Sequence, residues 1–183
     1  MKLADVDILM VPGYGGSGPD HWQSRWQTKL SSARRVEQRD WACGERARWV
    51  ERLVDEAAKS TRPAVVIAHS HGSVVVAHAA ARLRDKVVGA FLVAPPDWER
   101  PNLIEGFEHD FAPVPREPLP FRSVVVASRN DPYCDFQRAS DFAAAWGSEL
   151  ADAGEAGHLN VESGHGPWPE GTLRFASFLA SLK

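Results

Sequence analysis

Four runs of the chain are apolar without alternation: DILMV (7–11), AVVIAH (64–69), VVGAFLVA (87–94) and SVVVAS (123–128). A strand with one face in water alternates apolar and polar residues. An unbroken run rich in β-branched residues instead suits a strand covered on both faces, and so a parallel sheet. Two weaker segments, ARRVEQ (33–38) and SELADA (148–153), are assigned to strands by length and position. Between them lie amphipathic segments of helical length, at 20–30, 45–59, 73–84, 136–146 and 170–182. Strand and helix alternate, which predicts an α/β fold built from βαβ units. Residues 95–120 break the rhythm. Prolines and charges dominate there, as in PPDWERPN and FAPVPREPLP, and a long loop with one helical turn is expected. The chain carries neither internal repeats nor a low-complexity tail.

Composition narrows the function classes. With 183 residues, 44% of them hydrophobic, the chain has enough apolar surface for one core, and one domain over 1–183 is expected. The net charge is −3 and the 21 basic residues are scattered, so no footprint for nucleic acid or an anionic membrane is present and a small molecule is the expected partner. Two cysteines, Cys43 and Cys134, are too few for a disulfide framework, and neither has zinc-site spacing. Free thiols in a reducing compartment are expected. The first apolar stretch is interrupted by Asp5 and Asp7 and is too short for a signal sequence, and no later stretch approaches a membrane span, so the protein is expected to be cytoplasmic. Oligomeric state stays open, with a monomer favoured.

Candidate chemistry begins at Ala68-His69-Ser70-His71-Gly72, which is the entire connection between the strand at 64–69 and the helix predicted from Ser73. The pattern is that of a nucleophile elbow, G-x-S-x-G, with alanine in place of the first glycine. The serine occupies a sharp strand-to-helix turn, and small residues on either side let the backbone pass closely. The following amide, that of His71, points with the helix N-terminus toward any anion formed on a substrate bound to Ser70. The plainer reading makes Ser70 a helix N-cap.

A serine hydroxyl needs a base, and the base needs an orienting acid. Where this elbow is used, the chain order is serine, acid, histidine, with the later members on loops after later strands. Asp131 follows the strand at 123–128, and His158 lies in the last long loop before the C-terminal helix. Asp97 and Asp135 are alternatives for the acid, and His165 for the base. His69 and His71 adjoin Ser70 in a tight turn, so their side chains should diverge from its hydroxyl, and no residue is spaced to complete a metal site with them. The loop PGYGGSG (12–18) after the first strand offers a second anion-binding amide, that of Tyr14. Its glycines are out of register with G-x-G-x-x-G, so no nucleotide cofactor is expected.

The motifs Val11-Pro12-Gly13-Tyr14, His21-Trp22-Gln23-Ser24-Arg25-Trp26, Ala68 to Gly72, Ser128-Arg129-Asn130-Asp131-Pro132-Tyr133, Gly154 to Asn160 and Ser163 to Gly171 together resemble the small serine hydrolases related to retinoblastoma-binding protein 9 and the bacterial YdeN proteins. The resemblance spans nearly the whole chain. It implies a compact α/β-hydrolase, three-layer αβα, with a mostly parallel sheet of about six strands and no large lid. It also implies Ser70 as nucleophile, Asp131 as acid and His158 as base. His71 and His165 stand where such proteins commonly carry apolar residues, which implies a more polar pocket. The expected reaction is acyl transfer from a small ester to water, with no cofactor and no metal. The alternative is a hydrolase fold kept for binding a protein partner, with little or no catalysis.

Overall fold

The computed structural model describes all of residues 1–183. Six strands form one sheet in the order β2-β1-β3-β4-β5-β6: β1 Asp7–Val11, β2 Ala33–Arg35, β3 Ala64–His69, β4 Val87–Val93, β5 Arg122–Ala127 and β6 Glu149–Asp152. Every pair is parallel. The unbroken apolar runs account for the four central strands. Each residue of β1 and β3 is buried, as expected where helices cover both faces.

Alternation along the strands sorts those side chains into two cores. Leu9, Val11, Val66 and Ala68 join a cluster with Trp49 and Leu53 of α2 (Arg46–Ala58), Val75 of α3 (His71–Leu83) and Phe142 of α4 (Phe136–Trp146). Ile8, Met10, Val65 and Ile67 join Trp22 and Trp26 of α1 (Trp22–Gln27) and Phe175 and Phe178 of α5 (Pro169–Ser181). Three helices therefore lie on one face and two on the other, giving the three αβα layers. The strand order reverses direction between β1 and β3. In such sheets the crevice at that point, beyond the carboxyl ends of the strands, is where ligands bind.

Several elements depart from the sequence expectation, among them β2, which ends at Arg35 rather than Gln38. α1 is shorter than 20–30, because the His21 imidazole accepts from the Gln23 amide and caps the helix just before Trp22, while residues 28–30 close in turns. α3 begins at His71 rather than Ser73, since Ser70 alone completes the turn out of β3. Residues 95–120 contain turns but no helical turn. Their prolines lack the amide a helix would need, and the segment instead presses Trp98, Phe111 and Val114 into the larger core.

Candidate active site

The end of β3 fixes the first residue of the site. Ser70 has φ 53° and ψ −127°, a conformation that is strained for any residue with a side chain. The chain then passes close to β1: a methyl group on Gly72 would lie 2.4 Å from the Val11 carbonyl oxygen. Only glycine lets α3 begin so near the end of β1. Alanine at 68, where the pattern has glycine, places its methyl in the larger core. Although Ser70 precedes a helix, its side chain does not cap it. The hydroxyl instead lies 2.8 Å from His158 Nε2.

His158 comes from the loop after β6 and Asp131 from the loop after β5. Both are buried, and His158 Nδ1 lies 2.9 Å from each carboxylate oxygen of Asp131. A carboxylate can only accept, so Nδ1 carries the proton and the lone pair of Nε2 faces the serine hydroxyl. The carboxylate is oriented in turn by the Tyr133 amide, 2.9 Å from Oδ1. Asn130 knits the two loops together: its Oδ1 accepts from Ser128 Oγ at 2.8 Å and from the Gly157 amide at 2.7 Å.

The sequence alternatives lie elsewhere. Asp97 is bound by Arg138, and Asp135 sits at the start of α4. His165 Nδ1 is 3.2 Å from Ser163 Oγ, and its ring faces Trp168.

Gly13 brings the loop after β1 against the elbow, so tightly that a methyl group there would lie 2.8 Å from Ser70 Cβ. The next amide, that of Tyr14, has no backbone or side-chain acceptor within the chain. The His71 amide opens α3 and so has no partner inside that helix. Gln23 braces this end of the sheet. It is fully buried, and its Nε2 donates to the carbonyls of Val11 at 3.2 Å and Ile67 at 3.1 Å.

A cavity of about 300 Å³ opens over Ser70, walled by Tyr14, Trp98, Ile104, Tyr133 and Val161. Trp98 and Ile104 belong to the proline-rich loop. Neither His71 nor His165 lines this cavity, which corrects the expectation that they make it polar; the imidazoles that do are His21, His69 and His158. As the first residue of α3, His71 turns toward the larger core and is boxed by Trp49, Trp98 and Phe111. Burial pushes its ionisation down to about 3, with further contributions from His109 and His78. Burial likewise holds His21 down to about 4, helped by Arg35 and His158, and keeps His69 well below the ordinary histidine range. No three His, Cys, Asp or Glu side chains are grouped so as to hold a metal ion. The Cys134 thiol is pushed up to about 12 by burial and by Asp131 and Asp97, so it is no rival nucleophile.

Residues 8–177 match the serine hydrolase family. A YdeN-like hydrolase from Pectobacterium atrosepticum is 37% identical, with 96% of this chain and 91% of that one covered and a TM-score of 0.86. The ydeN gene product of B. subtilis, 18% identical over 96% of this chain and 99% of that one, shares the fold with a TM-score of 0.73. So does a carboxylesterase of Bacillus subtilis, 15% identical over 94% of this chain and 83% of that one, with a TM-score of 0.68. Among proteins with curated annotation, none matches the sequence.

Proposed function

Because this chain belongs to the serine hydrolase family, among its small YdeN-like members, we propose that it cleaves small carboxylic esters through an acyl-enzyme on Ser70. The observation that carries this reading is the unbroken line from Asp131 through His158 to Ser70, with contacts of 2.9 and 2.8 Å. Ser70 Oγ attacks the ester carbonyl carbon as its proton passes to His158 Nε2. The carbonyl electron pair moves onto oxygen, and the Tyr14 and His71 amides stabilise that charge. Collapse of the intermediate breaks the bond to the alcohol, which leaves with the proton from His158. Water, deprotonated by the same imidazole, then attacks the acyl-enzyme and releases the acid.

The cavity of about 300 Å³ favours short acyl groups, being at the small end of ligand sites. A purely binding role for the fold gives no reason to bury a carboxylate against His158. Stopped-flow hydrolysis of p-nitrophenyl acetate tests the reading: about one equivalent of nitrophenol is expected in a burst, with the acetylated protein visible by intact mass. Absence of both burst and steady turnover would overturn it.

A further inference from the structure

The loop that carries His158 is held by side chains outside the three residues just described. Its two successive carbonyls each meet a donor from a different element. His69 Nε2 lies 2.9 Å from the His158 oxygen, and Trp22 Nε1 lies 2.9 Å from the Leu159 oxygen. A carbonyl only accepts, so His69 carries its proton on Nε2. Between these two anchors the backbone is strained: Leu159 has φ 51°, which a leucine keeps only where its surroundings enforce it. On its N-terminal side the segment is held by Asn130 and Ser128, which accept from the Gly157 and Ala156 amides, and at His158 and Leu159 it is held by His69 and Trp22.

The His69 ring has little freedom to turn. It is buried, with the His21 ring 4.7 Å away, the Trp22 ring 5.9 Å away at 90°, and the His158 ring 5.0 Å away. Two adjacent residues of the elbow thus reach the same histidine, Ser70 at its ring and His69 at its main chain.

We propose that His69 and Trp22 form a clamp that sets the His158 imidazole at its working distance from Ser70, with His69 as a positioning residue. This rests on the triad reading above. An error of an ångström in such a distance costs up to about 10²-fold in rate. His69 also lines the cavity, whereas Trp22 does not. Loss of either donor should therefore appear in kcat, and loss of the Trp22 donor, which leaves the cavity wall intact, should spare KM.

The test compares wild type, His69→Phe, His69→Gln and Ser70→Ala in p-nitrophenyl acetate hydrolysis, with thermal melts to establish folding. Phenylalanine fills the space but cannot donate, whereas the glutamine Nε2 reaches a similar place and can. His69→Phe is expected to lose between about 10- and 10²-fold in kcat, and His69→Gln to recover most of the loss. A folded His69→Phe with wild-type kcat, or a folded His69→Gln as slow as His69→Phe, overturns the clamp. Should His69→Phe not fold, Trp22→Phe removes the other donor: a kcat loss at constant KM supports the clamp, and wild-type kcat overturns it. A wild-type protein that hydrolyses no ester, or a Ser70→Ala protein as active as wild type, would instead overturn the functional reading and the clamp's catalytic role with it.

Discussion

Arg138 holds Asp97 at two points, Nε to Oδ2 at 3.2 Å and Nη2 to Oδ1 at 3.2 Å. The carboxylate after β4 is thereby committed to a structural ion pair, and the one after β5, Asp131, is left to face His158. Asp131→Asn should lower kcat on the order of 10⁴-fold, because an amide in place of the carboxylate favours the wrong tautomer of the base. Asp97→Asn should change kcat by less than about threefold and act on stability instead. Steady-state ester hydrolysis by the two variants checks this, and the opposite ranking would move the acid to Asp97.

The two histidines of the last loop differ in the same manner. His158→Ala should cost on the order of 10³-fold or more in kcat, as removal of a triad base does. His165, which faces Trp168 and lies outside the cavity, should cost little when replaced by alanine. A severe loss with His165→Ala in a protein of unchanged melting temperature would show that the wrong histidine is assigned.

His71 gives a prediction about acid. Both of its ring nitrogens are buried without a partner, and its ionisation is held down to about 3 against an ordinary 6.5. Between those values the unfolded chain binds a proton that the folded chain refuses, so stability rises with pH across that window. The contribution is complete above about 6.5 and is lost progressively as the pH falls toward 3. His21 and His69, also lowered, act in the same direction. His71→Leu is close in volume and leaves no polar atom unpaired, so it should fold well near neutrality. Its urea stability should fall less than that of wild type between about pH 7.5 and about pH 5. Equal losses in both proteins would contradict the assignment.

These particulars also show what a sequence can and cannot disclose here. The central strands were legible because helices cover both their faces, which leaves an apolar run with no alternation. Asp131 and His158 were legible from chain order and from loops after strands. β2 was harder to place, because it pairs over only three residues at the sheet edge and stays half-buried. That His71 turns away from the Ser70 hydroxyl was legible from the tight turn, but not that it leaves the cavity for the larger core, which depends on α3 starting one residue after the elbow serine. The clamp left no trace either: its acceptors are main-chain carbonyls, one of them 89 residues from His69, and a backbone acceptor imposes no residue type on its own position.

The most direct test of the central claim is the site of covalent labelling by a fluorophosphonate, read by peptide mass spectrometry on wild type and Ser70→Ala. The hydroxyl sits in a tight turn and contributes little packing, so the variant should fold as wild type does. A single adduct, on Ser70, is expected, with no labelling of the folded variant. An adduct on any other serine, or labelling and ester hydrolysis retained by pure Ser70→Ala protein, would contradict it.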